Sequence, residues 1–272
     1  MSMNRRADGT GVSWPQQGEA ALILGAGKPA ASPDEAPVAI ASLAKVMTAD
    51  LTLERYPLNG AQGGFTVTVT AAEAQAVDQD RAEGQSVVAV AAGERLTERQ
   101  LLEALLIPSG NNIADILATA VAGSQARFVA EMNARARALG MTHTTYTDPS
   151  GFAASTVSTA SDQLRAFGQA MRFSAFRQIV SMESVTLPVA GTVTNFNPLI
   201  ADGYAGKTGS DFAAGGCLAF STDVTVGGRR RTAVGVVLGQ GQGSDTAELL
   251  AAAGQAAQQL VTSSTTNRTG ET

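Results

Sequence analysis

The sequence predicts an α+β fold: an antiparallel sheet flanked by helices, with a mostly helical insert between the sheet's two contributions. Three observations predict it. Strand-like apolar runs lie near both ends of the chain, helical periodicity fills the middle, and no Pro/Gly/Ser linker is long enough to divide the span between them.

Taken in order, residues 1–18 are polar apart from a few side chains such as Trp14, and are expected to form a tail. Residues 20–24 are a short apolar run ended by Gly25-Ala26-Gly27, a strand and its turn. Residues 42–56 form a helix whose apolar face carries Leu43, Val46, Met47, Leu51 and Leu53, and Pro57 stops it. Residues 65–69 alternate as a strand does. Thr97, with Gln100 three places on, makes a capping box that opens a helix over 98–107. Pro108-Ser109-Gly110 breaks it. Helices follow near 112–121 and over 124–139, where Gly140 supplies a left-handed stop, and another covers 161–173, weakened by Gly168. Residues 217–221 and 232–238 are strands joined by a turn at Gly227-Gly228, and 245–261 is a closing helix. The expected organisation is a tail over 1–18, a single domain over 19–261 and a Ser/Thr-rich tail over 262–272. Within the domain the sheet takes about 19–60 and 195–261, and the helical insert about 61–194.

Composition narrows the chemistry. A length of 272 residues at 44% hydrophobic and 16% charged is enough to bury a sizeable core, and a net charge of -5 argues against a nucleic-acid partner, whose phosphates need a basic face. The one basic run, Arg229-Arg230-Arg231, reads as a polar hairpin. A lone Cys217 cannot form an internal disulfide, and a lone His143 cannot build a histidine-rich metal site, so no metal and no cofactor are expected. Cys217 lies in an apolar run and reads as core, while His143 lies in a polar loop. Residues 1–20 lack the apolar core of a signal peptide, and no stretch approaches the ~18 apolar residues of a membrane span.

Three lysines stand among nineteen basic residues: Lys28, Lys45 and Lys207. Lys45 closes Ser42-Leu43-Ala44-Lys45, and at a helix start this spacing places hydroxyl and amine on one face, a turn apart. Lys207 opens Lys207-Thr208-Gly209. Ser109-Gly110-Asn111 falls in the break between two helices, where its side chains serve either as plain helix caps or as groups aimed into a cleft. A serine hydroxyl needs a base to become a nucleophile, and with no His-Asp pair at hand an amine can serve if its pKa is depressed. Burial of Lys45 at a helix start, with Lys207 as a second cation, disfavours its charged form. The oxyanion of the reaction would then sit between the backbone N–H groups of Ser42 and Ser210, Gly209 letting the strand come close.

These segments resemble the serine D-alanyl-D-alanine carboxypeptidases, the low-molecular-mass penicillin-binding proteins. The resemblance runs through Ala41 to Ala49, Pro108 to Asn112, Met132-Asn133, Leu139 to Met141, Asp148-Pro149-Ser150-Gly151-Phe152, Asn195 to Asn197, Gly206 to Gly209 and Ala214 to Leu218. It implies that Ser42 is the acylated nucleophile, Lys45 its base and Ser109 a proton relay to the leaving amine. Asn111 would bind the substrate amide, Lys207 supply positive potential and Thr208 hold the terminal carboxylate. The implied substrate is the D-Ala-D-Ala end of a peptidoglycan stem peptide outside the cytoplasm, with β-lactam antibiotics as covalent inhibitors. Two places after the K-T-G glycine the family often carries a hydroxyl residue, and here Asp211 stands, whose charge would repel a substrate carboxylate if it faced inward. The family is usually exported and held at a membrane, so a signal or anchor is expected upstream of this chain. A β-lactamase is the enzymatic rival, but Gly110 replaces the aspartate of S-D-N and no glutamate occurs over residues 140–160 to drive deacylation. A non-catalytic binding module of the same fold is the other.

Overall fold

In the computed structural model, which describes residues 12–243 and 245–266, strands from both ends of the chain meet in one sheet. The elements are, in order, β1 (Glu19–Leu24), β2 (Ala30–Ala31), β3 (Val38–Ala39), a 3₁₀ turn (Ala41–Leu43), α1 (Ala44–Arg55), β4 (Thr66–Thr68), α2 (Ala71–Ala82), β5 (Arg95–Thr97), α3 (Glu98–Leu106), α4 (Asn111–Ala122) and α5 (Gln125–Ala138). There follow β6 (Val157–Ser158), α6 (Ala160–Ala170), α7 (Ser174–Val180), β7 (Ser184–Leu187), β8 (Gly191–Thr194), a 3₁₀ turn (Ile200–Asp202), β9 (Ala205–Asp211), β10 (Gly215–Val226), β11 (Arg229–Gln240) and α8 (Thr246–Thr266).

The main sheet runs β2-β1-β11-β10-β9, with every pairing antiparallel. β1 is buried along nearly its whole length, because both faces of the sheet are covered, and so it reads as a continuous apolar run. β10 and β11 meet through Gly227 and Gly228, both at positive φ, the backbone a two-residue hairpin turn demands. One face of the sheet packs under α8, where Leu218, Phe220, Val237, Ala253, Ala257 and Leu260 share a core. The other face continues into the larger core, which includes α1, α3, α4, α6 and α7. At its centre α1 is buried over Ala44 to Asp50. The expected order of sheet, helical middle and sheet is the one observed.

Some expectations change. Residues 12–18 are not a loose tail: Val12 and Trp14 are buried beneath α8, and the Ser13 N–H donates to Ser263 Oγ at 3.1 Å. Residues 262–266 likewise continue α8, with Ser263 and Ser264 buried; residues 1–11 and 267–272 lie outside the described residues. Several elements went unforeseen, among them α7, the short strands β2, β3, β5 and β6, α2 and the β7–β8 hairpin. α2 buries only Val77, so it has almost no apolar stripe to read, and the β7–β8 hairpin alternates threonine and valine at partial exposure.

Candidate active site

The 3₁₀ turn delivers Ser42 from an otherwise buried stretch: Ala41, Leu43 and Ala44 are buried, whereas Ser42 stays partly exposed. Ala41 adopts a φ of 44°, rare for a residue with a Cβ, and its carbonyl is pressed by Gly151, where a Cβ would come within 1.8 Å of the oxygen. One turn on, Lys45 is fully buried and its Nζ donates to three oxygens: Ser42 Oγ at 2.7 Å, Asn111 Oδ1 at 2.6 Å and the Ser150 carbonyl at 2.9 Å. Burial holds its pKa at about 7, against the opposing pull of Asp148 and then Asp115, each of which favours the ammonium. At neutral pH the amine is therefore present in both forms.

The break between α3 and α4 supplies the second side. Ser109 sits at a φ of 63°, buried, and its Oγ accepts from Lys207 Nζ at 2.9 Å. Gly110 is required by packing, since a Cβ there would lie 2.8 Å from Val88 Cγ2 and 2.9 Å from Ile113 Cγ1. Asn111 opens α4 and is aimed by its amide group, which donates to Gln85 Oε1 at 2.9 Å while its Oδ1 accepts from Lys45 Nζ. Asn112 clamps the facing strand-like segment, bonding both backbone groups of Val88.

β9 forms the third side. A Cβ on Gly209 would stand 2.9 Å from the Ile40 carbonyl and 3.0 Å from Ser42 N, so only glycine lets this strand lie against the nucleophile turn. Lys207 is buried, donating to Ser109 Oγ and to the Thr208 carbonyl at 2.7 Å. Its pKa is depressed well below the lysine range, first by burial and then by the charge of Lys45. The sequence pointed to burial, with Lys207 as a second cation, as what unloads Lys45; burial is what lowers its pKa, and Lys207 is not among the causes. Thr208 is buried beside it and Ser210, the residue after Gly209, is half-buried.

Ser42, Lys45, Ser109, Asn111, Lys207, Thr208, Gly209 and Ser210 thus converge from three elements distant in sequence. Asp211 does not join them: its Oδ1 accepts from Ala213 N at 2.8 Å and Ala214 N at 2.7 Å, capping the β9–β10 turn. His143 is exposed and bonded through its backbone to Asp162, and Cys217 is buried in β10 with a thiol pushed up to about 12 by burial. Two contributors escaped sequence reasoning, the Ser150 carbonyl, which binds Lys45, and Gln85, which orients Asn111. Asp148 is the turn former that its place before Pro149 announces: its Oδ2 accepts from Ser150 N, Ser150 Oγ and Phe152 N, and its Oδ1 from Thr156 Oγ1. A backbone carbonyl leaves no mark in a sequence, although Asp148-Pro149-Ser150-Gly151 does announce the turn that carries it. Among the described residues no group of metal-ligating side chains is present, and no helix is long and apolar enough to cross a membrane.

The family model described as D-alanyl-D-alanine carboxypeptidase matches residues 29–241. Among curated proteins, the chain is 38% identical over 151 residues to D-alanyl-D-alanine carboxypeptidase DacB2 of Mycobacterium tuberculosis, covering 54% of this chain and 47% of that one. It is 33% identical over 220 residues to the D-alanyl-D-alanine carboxypeptidase of a Streptomyces species, covering 72% of this chain and 71% of the relative. The chain spans about half or less of the length of the first two such relatives. Among solved structures, the Streptomyces K15 DD-transpeptidase superposes with a TM-score of 0.77 at 26% identity, covering 93% of this chain and 99% of that one. A penicillin-binding protein homolog from Mycobacterium tuberculosis gives a TM-score of 0.72 at 30% identity, covering 92% and 94%.

Proposed function

Because the chain belongs to the D-alanyl-D-alanine carboxypeptidase family, we propose that it is a serine hydrolase removing the terminal D-alanine from peptidoglycan stem peptides through an acyl-enzyme, outside the cytoplasm. The observation that carries the reading is the pair formed by Lys45 and Ser42: a buried amine with a pKa of about 7, its nitrogen 2.7 Å from a partly exposed hydroxyl. In its neutral form Lys45 accepts the Ser42 proton as Oγ attacks the carbonyl of the penultimate D-alanine. The backbone N–H groups of Ser42 and Ser210 receive the oxyanion, Gly209 keeping the two segments close. As the C–N bond breaks, Ser109, held by Lys207, relays a proton to the leaving amine. The proton taken from Ser42 thus leaves with D-alanine, and Lys45 is neutral again when water attacks the ester. Asn111 orients the substrate amide, Lys207 supplies positive potential and Thr208 holds the terminal carboxylate, a task Asp211 does not oppose because the amides of its own turn engage it. The same serine would be acylated by β-lactams, whose reactive amide occupies the place of the scissile bond.

Intact mass after incubation with benzylpenicillin, and D-alanine release from an acylated tripeptide ending in D-Ala-D-Ala, test the reading together. A stable adduct on the Ser42 peptide and D-alanine release are expected, both lost in Ser42→Ala. An adduct on Ser109, or none on the folded protein, would overturn it, and rapid penicillin turnover would favour a β-lactamase.

A further inference from the structure

Residues 13–17 and α8 together line a recess of about 640 Å³, within the span of about 300–1,000 Å³ usual for small-molecule sites. From α8 it takes Ala252, Gln255, Ala256 and Gln259, which spacings of three and four residues place on one face of the helix. Trp14, Pro15, Gln16 and Gln17 line it from the incoming chain, and Gln240 from the last position of β11. The incoming segment is fastened there: Gln17 Nε2 donates to the Gly241 carbonyl at 2.7 Å, and Gln240 Nε2 donates to the Gln17 carbonyl at 2.8 Å.

The chemistry of this lining is uniform. In a chain with 16% charged residues none of the described lining residues is charged, and five are glutamines. Gln255 and Gln259 also line a second recess, of about 340 Å³, with Gln258 and Thr262, so the uncharged amide surface extends along α8. Two polar groups on buried side chains of the first recess are unmet. Trp14 is 2% exposed and its Nε1–H has no acceptor among the described residues, although a buried indole N–H ordinarily finds one. Gln240 is 5% exposed; its Nε2 spends both hydrogens on the carbonyls of Gln17 and Leu238, which leaves its Oε1 over. A spare donor and a spare acceptor suit a ligand whose own groups both donate and accept.

We propose that this recess binds a neutral N-acetylated saccharide, a hexosamine unit of a glycan strand. Hydroxyl and acetamido groups each donate and accept, as the glutamine amides do, while Pro15, Ala252 and Ala256 offer apolar surface to the C–H faces of the ring and to the acetyl methyl group. A charged ligand would find no counter-charge in the lining. The choice of an acetamido sugar rests on the reading that the substrate is peptidoglycan, whose strands are built of such sugars. The recess lies on the α8 side of the sheet, whereas Ser42 opens where α1, α4 and β9 meet. A sugar held there is away from the bond being cut, so the site retains the enzyme on its polymer and raises the effective concentration of stem peptides around Ser42.

Trp14 is the one tryptophan of the chain, so its emission reports occupancy of the recess directly. Titration of the full chain with N,N′,N″-triacetylchitotriose should give a saturable 1:1 change in that emission, insensitive to salt because the ligand is neutral, and the same in Ser42→Ala. The double variant Gln255→Ala, Gln259→Ala, altered at two exposed side chains, should bind at least about tenfold more weakly, since their hydrogen bonds to the sugar are lost. It should keep the parent's thermal midpoint and its D-alanine release from the acylated tripeptide, while its retention on sedimented peptidoglycan falls. The proposal is overturned if the parent shows no saturable change, if maltotriose, which has no acetamido groups, binds as tightly, or if the double variant binds as the parent does. D-alanine release without saccharide binding overturns this inference alone; saccharide binding without D-alanine release supports the recess and overturns the catalytic reading instead.

Discussion

Lys45 meets two opposing demands: it must be buried enough to release its proton near pH 7, yet its three acceptors, Ser42 Oγ, Asn111 Oδ1 and the Ser150 carbonyl, all favour the ammonium. Burial wins by several pH units from the ordinary 10.5, and the residual attraction of Asp148 and Asp115 keeps the pKa from falling further. Only the neutral amine can take a proton, so the benzylpenicillin acylation rate is expected to rise as pH is raised through about 7 and to level off above it. Lys45→Arg keeps the charge and cannot release it, and acylation is expected to fall by about 10²- to 10⁴-fold with the fold intact. Asp148→Asn removes a charge that raises the lysine pKa and loosens the loop that aims the Ser150 carbonyl. The midpoint of the pH profile should move to lower pH, and the plateau should drop by up to about 10²-fold through misplacement. A profile with an unmoved midpoint would mean that Asp148 does not act on Lys45. At this scale the side chains were legible because Ser42, Lys45, Ser109 and Lys207 announce themselves by spacing and by the scarcity of lysine. Their supports were not, because Ser150 contributes a carbonyl and Gln85 a long-range amide that no local pattern specifies.

Elements position those side chains, and the joints between them are the sensitive places. Thr97 and Gln100 form the capping box expected of them, with both reciprocal bonds present, and α3 begins where the sequence says it should. Thr70 and Glu73 form the same device at α2, a start signal written in the sequence without an apolar stripe behind it to declare a helix. Propensity and capping were there to be read; periodicity was not, because α2 lies almost wholly on the surface. Between α3 and α4 the chain turns on Ser109 and Gly110. Gly110→Ala would push a methyl group to within 3 Å of Val88 and Ile113, and is expected to cost about 1–3 kcal/mol, measured as a lower denaturant midpoint. It should also slow acylation, because Ser109 and Asn111 flank the strained residue. If stability and acylation are both unchanged, the packing around Gly110 is more yielding than its contacts imply.

The whole molecule is held by one core that runs from the helices into the sheet and a second between the sheet and α8. Its order along the chain was legible from the ends inward, but its extent was not: the polar character of residues 12–18 hid two side chains, Val12 and Trp14, whose burial depends on α8, more than 200 residues away. Buried acids give the ensemble a pH signature. Glu98 is buried at the start of α3, one of its carboxylate oxygens has no partner, and burial raises its pKa from 4.5 to about 7. A raised acid binds its proton more tightly folded than unfolded, so its stabilising share is full below about pH 4.5 and is lost as pH climbs to about 7. The thermal midpoint of the parent should fall across that window more steeply than that of Glu98→Gln, in which the group cannot ionise. Parallel curves for the two would remove Glu98 from the account.

The Ser13–Ser263 hydrogen bond has a geometric consequence. It brings the two described ends side by side beneath the α8 face of the sheet, while Ser42 opens on the side where α1, α4 and β9 meet. Whatever continues from either described end therefore sets out from the back. A chain cut back to residues 12–266 can be immobilised by one end, or its ends joined and a new break opened in a surface loop, with the mouth of the cleft left facing the medium.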